Sequence, residues 1–210
     1  MPRIDDYIAA RSLARAQLSS VPYETLLRRS GFEALEGAAL RVPFLNRIFR
    51  LSYPDLEFAD LAAAEKEVPI QEQILILHYL QAEQLDPVSG NWVAYREIPG
   101  AGFYFAAFLK RAVEPLKKAF GANIPGFMGA AVRLNGLAVA FGDAGFEFRL
   151  FPRLPVRLIL HAGDEEFPAE ATILFDRGID GILSPEDIAW LAGMLVYRLI
   201  ALSREAGKTS

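Results

Sequence analysis

The chain has 210 residues, and its 22 Lys and Arg against 26 Asp and Glu give a net charge of −4. Because it contains no cysteine, it cannot build a disulfide framework, a thiolate nucleophile, or a zinc or iron–sulfur site with cysteine ligands. The acidic balance and the scattered basic residues argue against nucleic acid as a partner.

The amino-terminal residues lack the basic segment and the apolar core of a secretory signal. No later apolar run approaches the roughly 18 residues that are needed to span a bilayer. We therefore expect a cytoplasmic protein that does not bind membranes. The length favours one large domain, or one domain with an amino-terminal extension. We predict helices and a hairpin in residues 1–67 packed on a main domain of residues 68–205, followed by a frayed tail over residues 206–210.

Apolar residues at helical spacing and alternating β-branched or aromatic residues define the elements of the first half of the chain. In order, they predict a helix over 5–19, a helix over 23–30 that ends at Gly31, a hairpin over 40–53 that turns at Asn46-Arg47, and a helix over 69–85 that ends at Asp86-Pro87.

The second half begins with a short extended segment and ends with a strongly signalled helix. In order, we predict an extended segment over 92–98, a helix over 103–120 ended by Gly121, a shorter helix after Pro125, a hairpin over 137–150, strands over 155–160 and 171–175, and a final helix capped by Ser184. The connections between these strands are too short for crossover helices, so the sheet is expected to be antiparallel. The fold class is therefore α+β, with an antiparallel sheet packed against several helices.

Three adjacent carboxylates form the densest polar cluster, in the turn at residues 163–167. One interpretation is a hard cation held by oxygen ligands, joined by His161 or Asp176. A second is a carboxylate whose raised pKa makes it a general base. A third is a solvated loop in which Asp164 closes a turn on its own backbone.

Residues 176–187 invite comparison with a calcium-binding loop, since Asp176, Asp180 and Gly181 fit its first, fifth and sixth positions. Gly178 offers no side-chain oxygen at the third position, and Asp187 stands where a longer Glu is normal. A turn followed by a helix cap accounts for the same residues without an ion.

The remaining chemical signals are weaker. No Gly-x-Ser-x-Gly elbow is present to anchor a hydrolase triad. The aromatic residues around Trp92, Tyr95, Phe103 and Tyr104 are compatible with a pocket for a flat ligand, although aromatic residues at such spacing are normally core.

Two stretches carry a resemblance to a known family. They are Gly90-Asn91-Trp92-Val93-Ala94-Tyr95-Arg96-Glu97-Ile98-Pro99-Gly100 with Tyr104 beyond it, and Gly163-Asp164-Glu165-Glu166-Phe167-Pro168 followed by Leu174-Phe175-Asp176 and Leu183-Ser184-Pro185-Glu186-Asp187. Over roughly residues 68–202 the chain resembles the family called domain of unknown function 3786, found mainly in anaerobic bacteria and archaea.

The resemblance implies a neighbourhood of anaerobic redox or corrinoid metabolism, because some members are fused to a cysteine-rich iron–sulfur domain. This chain has no cysteine, so any cluster would have to come from a partner. The family supplies no catalytic residues to carry over.

We therefore expect a ligand-binding or accessory protein whose site forms where the acidic turn meets the segment from Trp92 to Tyr104. A divalent-cation-dependent enzyme using the acidic loop and a structural partner subunit are the alternatives. The expected partner is a small molecule or a protein. The sequence leaves the cofactor unknown, and no metal site is assigned. The candidate binding residues are Trp92, Tyr95, Arg96, Tyr104, Asp164, Glu165, Glu166 and Asp176.

Overall fold

A computed structural model describes residues 4–83 and 88–207. The described residues group into two compact units. The first takes those of Met1–Pro87 together with Phe151–Arg153 and Gly181–Leu183, and the second takes those of Val88–Leu150, Leu154–Asp180 and Ser184–Ser210. Helices and antiparallel sheets occur in both units, so the α+β prediction is confirmed.

The first unit contains three helices and a four-stranded antiparallel sheet of order β1-β2-β3-β4. Its elements are α1 (Ile4–Leu18), α2 (Tyr23–Ser30), β1 (Glu33–Leu35), β2 (Ala39–Phe44), β3 (Arg47–Ser52), β4 (Phe58–Asp60) and α3 (Ile70–Gln81).

Local signals in the first unit were sufficient for most of these elements. Helix α2 has the predicted bounds and ends at Gly31, whose φ of 72° is the left-handed conformation that glycine adopts without strain. The hairpin of β2 and β3 is confirmed, but its turn is at Leu45-Asn46 and not at Asn46-Arg47, because Arg47 already pairs with Phe44. The three-residue strands β1 and β4 were not predicted. The helix predicted over 69–85 ends earlier, at Gln81, since Ala82 already has a non-helical conformation. Leu85 and the predicted Asp86-Pro87 turn lie outside the described residues.

Arg47 ties the sheet of the first unit to α3. Its Nε donates to Asp60 Oδ2 at 2.8 Å and its Nη1 donates to Glu72 Oε2 at 3.0 Å. Asp60 is 4% exposed, and its Oδ1 also accepts a hydrogen bond from the backbone N–H of Ala62 at 2.8 Å. This backbone hydrogen bond and the Arg47 guanidinium hold the pKa of Asp60 below its usual value, against the opposing effect of burial.

Asp60 should therefore make the stability of the protein depend on pH. A carboxyl group whose pKa is lower in the folded state stabilises the fold above the unfolded-state pKa of about 4, and this stabilisation is lost as the pH falls through the folded-state value. We expect Asp60→Asn to lower the free energy of unfolding by about 2 kcal/mol at pH 7. Urea unfolding at several pH values should show a smaller acid-dependent loss in this variant than in the wild type. Equal acid dependence in both proteins would contradict the role of Asp60.

The second unit contains a five-stranded antiparallel sheet of order β5-β9-β8-β7-β6 and the longest helix of the described residues. Its elements are β5 (Trp92–Ala94), α4 (Phe105–Phe108), a π-helical turn (Leu109–Val113), α5 (Glu114–Phe120), α6 (Ile124–Arg133), β6 (Leu137–Val139), β7 (Ala144–Phe151, whose last residue belongs to the first unit), β8 (Leu154–His161), β9 (Glu170–Asp176) and α7 (Pro185–Ala206).

The predicted extended segment over 92–98 is a strand only as far as Ala94. The carboxylate of Glu97 accepts a hydrogen bond from the backbone N–H of Ala94 at 2.7 Å, and residues Tyr95–Glu97 form a 3₁₀ turn instead. The helix predicted over 103–120 is one continuous run from Phe105, with the π-helical turn in its middle. None of the helices within residues 4–83 and 88–207 has both the length and the apolar character that crossing a bilayer requires.

The N-terminus of α7 is fixed by the predicted cap. The hydroxyl of Ser184 accepts a hydrogen bond from the backbone N–H of Asp187 at 3.2 Å and donates to Asp187 Oδ2 at 2.7 Å. The predicted tail over 206–210 cannot be compared in full, because residues 208–210 lie outside the described part of the chain. The division into residues 1–67 and 68–205 stays a prediction.

Removal of this cap should have a moderate effect. We expect Ser184→Ala to lower the free energy of unfolding by about 1 kcal/mol, because a backbone N–H in the first turn loses its acceptor. Urea unfolding measures the difference, and Ser184→Asn, which keeps an acceptor, should stay close to the wild type. Equal losses in both variants would show that the cap is not the cause.

Candidate functional site

The carboxylate of Asp176 holds a loop at the end of β9 and is 5% exposed. Its Oδ2 accepts hydrogen bonds from the backbone N–H of Gly90 at 2.8 Å and from the hydroxyl of Ser89 at 3.0 Å. Its Oδ1 accepts from the backbone N–H groups of Ser89 and Gly178, at 3.2 and 3.3 Å. These four bonds account for the buried carboxylate without a ligand.

Tyr95 belongs to the core of the second unit. Its ring is 1% exposed and stacks on Phe108, with centroids 4.2 Å apart and planes 5° from parallel. Its hydroxyl donates to the backbone carbonyl of Pro185 at 2.7 Å. Burial raises the pKa of Tyr95 to about 12, so the hydroxyl stays a hydrogen-bond donor at neutral pH.

Arg96 and Tyr104 lie nearer to solvent than Tyr95. The guanidinium carbon of Arg96, an exposed residue, is 3.9 Å from the ring centroid of Phe105. Tyr104 is half-buried close to the first turn of α7, where the charge of Glu186 raises its pKa. The structure thus brings these predicted residues together around Phe105 and the start of α7, as a packed aromatic cluster.

The acidic turn has the geometry of a solvated loop. Asp164, Glu165 and Glu166 are all exposed. The Oδ1 atom of Asp164 accepts hydrogen bonds from the backbone N–H groups of Phe167 at 2.7 Å and Glu166 at 2.9 Å. Those bonds lower the pKa of Asp164, so the interpretation of this carboxyl as a base with a raised pKa is corrected.

The structure does not bring the acidic turn to the aromatic segment. The turn follows His161, which pairs with Glu170 at one end of β9, whereas Trp92 pairs with Asp176 at the other end. Six residue steps along the strand place the two ends about 20 Å apart. The predicted single site, in which the acidic turn meets the segment from Trp92 to Tyr104, is therefore corrected.

The calcium-like pattern over residues 176–187 is explained by hydrogen bonds to neighbouring backbone and serine groups. Asp176 binds the loop at Ser89 and Gly90, and Asp187 is engaged by the Ser184 cap. Arg177–Gly181 form a 3₁₀ turn between them. Within residues 4–83 and 88–207, no group of three or more His, Asp or Glu side chains is placed to hold a metal ion.

One side of the five-stranded sheet carries a different cluster, centred on Arg157 of β8. Its guanidinium carbon is 3.8 Å from the ring centroid of Trp92 in β5. Its Nε donates to Glu147 Oε2 of β7 at 3.0 Å, and its Nη2 lies 3.0 Å from the same oxygen. The same position of the Arg157 side chain makes the ion pair with Glu147 and the contact with the indole ring. The ion pair therefore holds the guanidinium over the ring.

Apolar side chains surround this pair on the same side of the sheet. Leu137 of β6 pairs with Glu147 and is 66% exposed. The ring centroid of Phe141 lies 5.9 Å from the Arg157 guanidinium carbon, and this side chain is 53% exposed. Leu174 of β9 pairs with Arg157 and is half-buried. We call this surface the tryptophan face, and it consists of Trp92, Leu137, Phe141, Glu147, Arg157 and Leu174.

Only Trp92 of this face was predicted as a site residue. In the strand over 155–160, side chains alternate between the two faces of the sheet, so Arg157 points away from the core residues Val156 and Leu158. This alternation is the sequence feature that could have identified Arg157 as a residue of the exposed face. Its contacts come from strands far apart in sequence, and their register cannot be read from composition.

Comparison with known protein families gives a match over most of the chain. A family model described as Domain of unknown function (DUF3786) matches residues 23–198. The match begins earlier in the chain than the stretch over 68–202 that carried the resemblance. No curated protein and no solved structure matches the chain.

Proposed function

Since the chain belongs to the family of domain of unknown function DUF3786, we propose from its own geometry that it is an accessory module that binds a partner protein through the tryptophan face. The observation that carries this proposal is the Arg157 guanidinium held 3.8 Å from the Trp92 ring beside two exposed apolar side chains. Trp and Arg are the residue types that contribute most to protein interfaces.

The exposed apolar area supports a protein as the occupant. Leu137 and Phe141 are 66% and 53% exposed, and burying such side chains contributes about 1.5–3 kcal/mol each when burial is complete. Surfaces where several apolar residues meet around an aromatic ring are typical of interaction sites. A partner that covers them would remove this area from water.

The charges on the face indicate what kind of surface fits it. Arg157 is neutralised by Glu147 at 3.0 Å, so the centre of the face attracts neither an acidic nor a basic surface strongly. We therefore propose a partner that presents an apolar patch with few charges. Two grooves of about 370 and 450 Å³ lie elsewhere on the protein and are lined by other residues.

The proposed context follows the family resemblance. A protein of anaerobic redox or corrinoid metabolism, which can supply the cysteine ligands that this chain lacks, is the partner class that we propose to look for first. We keep a cytoplasmic location as part of the same proposal. The cation-dependent enzyme has no geometric support in the acidic turn, because its three carboxylates are exposed and that of Asp164 accepts hydrogen bonds from the backbone of its own turn.

Site-specific crosslinking in cells of the source organism tests this function. A photoreactive p-benzoylphenylalanine at Thr172, an exposed residue on the same side of β9 as Leu174, should give a discrete protein adduct. The same group at Met128, exposed on α6, serves as the control and should not. The adduct should disappear when Phe141→Asp is added to the Thr172 probe. Equal adducts from both positions, or an adduct that survives Phe141→Asp, would contradict the proposal.

A further inference from the structure

The second unit carries a groove of about 450 Å³ between the α4 to α5 helical run and α7. Its lining includes three basic residues, Lys110, Lys118 and Arg204, and one acidic residue, Glu114. This volume lies within the usual range for small-molecule sites. A local excess of positive charge is notable because the whole chain has a net charge of −4.

Several arginines of the protein have a carboxylate partner, which the three cations of the groove lack among the described residues. Arg15, Arg47, Arg133 and Arg157 all form ion pairs at 3.0 Å or less. For Lys110, Lys118 and Arg204, the part of the chain that the structure describes offers no ion pair. Glu205, the neighbour of Arg204 in sequence, is taken by Arg133 at 3.0 Å.

Helix ends explain part of this arrangement. Lys118 lies in the last turn of α5 and Arg204 in the last turn of α7, where cations interact favourably with the helix dipole. Lys110 lies in the π-helical turn, well before the end of its helix, and the dipole does not account for it. The dipole also does not require that the three cations line one groove.

The groove also offers a ring for stacking. Tyr197 on α7 is 58% exposed and lines the groove with Ile200 and Pro115. An exposed tyrosine beside apolar side chains can stack on a flat ring while the cations bind an attached anion. Three cations are too few for a nucleic-acid surface, which needs many phosphate contacts.

We propose that this groove, here named the basic groove, binds a small aromatic phosphate of the nucleoside monophosphate kind. Lys110, Lys118 and Arg204 bind the phosphate, and Tyr197 stacks on the ring. The site is separate from the tryptophan face and does not depend on partner binding there.

Calorimetric titration with AMP tests the proposal, with inorganic phosphate and adenosine as separate probes. We expect AMP to bind the wild type with a Kd below about 1 mM, and each fragment to bind more weakly than AMP. Lys118→Ala should weaken AMP binding about tenfold, the effect of one charge-assisted hydrogen bond. Tyr197→Ala should weaken AMP binding without changing the binding of phosphate.

Lys66→Ala is the matched control, since Lys66 is an exposed lysine of the first unit that does not line the groove. It should leave AMP binding unchanged, and thermal unfolding should confirm that every variant is folded. The proposal is overturned if no binding is detected at an AMP concentration of about 10 mM, which is ten times the largest Kd that we expect. It is also overturned if Lys66→Ala and Lys118→Ala have equal effects, or if Tyr197→Ala changes nothing.

Discussion

Replacing Asp176 by alanine is expected to lower the free energy of unfolding by about 3–4 kcal/mol. The buried carboxylate accepts four hydrogen bonds, from the backbone N–H groups of Ser89, Gly90 and Gly178 and from the Ser89 hydroxyl. Bonds to a charged group contribute about 1.5–3 kcal/mol each, although they are not additive, and the alanine leaves several donors without an acceptor.

Urea unfolding of Asp176→Ala measures this loss directly. Ser89→Ala serves as a comparison in which a smaller loss is expected. Ser89→Ala removes the hydroxyl but keeps the backbone donors and should cost about 1 kcal/mol. If Asp176→Ala is as stable as the wild type, the carboxylate has no structural role, and its interpretation as a binding residue becomes the stronger one.

Replacing Gly142 by alanine is expected to cost about 3 kcal/mol of unfolding free energy. Gly142 has a φ of 65°, and a Cβ built there would lie 2.5 Å from the carbonyl oxygen of Leu160 and 2.8 Å from Cγ2 of Ile159. A left-handed conformation costs alanine about 1–2 kcal/mol, and relief of the contact with a fixed backbone atom adds a similar amount.

Gly129→Ala is the matched control for Gly142. Gly129 lies inside α6, and a Cβ built there meets nothing within 4 Å beyond its chain neighbours and the backbone of its own helix, so alanine should raise the stability by roughly 0.5–1 kcal/mol. Thermal or urea unfolding should show a lower stability for Gly142→Ala and a higher stability for Gly129→Ala than for the wild type. A loss in Gly142→Ala no larger than a few tenths of a kcal/mol would show that the 141–145 turn relaxes easily, and that the position of Phe141 is not fixed by it.

The elements predicted best from the sequence are those with strong local signals. Gly31 ends α2 and Ser184 begins α7 because each position needs one residue type that can be recognised without tertiary information. The strands β1 and β4 were missed because, unlike the equally short β5 and β6, they contain no β-branched residue that would indicate a strand. The π-helical turn at Leu109–Val113 has no sequence signature of its own in this chain.

The candidate site was predicted less well for a physical reason. The acidic turn and Trp92 are both neighbours of β9, but they flank opposite ends of it, and strand register decides that separation. Asp176 was identified as a chemically interesting residue, yet its carboxylate is engaged by the loop at Ser89 and Gly90. Arg157 acquires its importance only from partners on β5 and β7.

The measurement that tests the proposed function most directly is the affinity of the purified protein for the partner identified by crosslinking. The tryptophan face predicts that Phe141→Asp weakens this binding at least about thirtyfold, which corresponds to about 2 kcal/mol at an interface hot spot. Phe103→Asp, a matched change at a side chain that is 87% exposed outside the face, should leave the affinity unchanged. Equal affinities for Phe141→Asp and the wild type, or equal losses in both variants, would contradict the account.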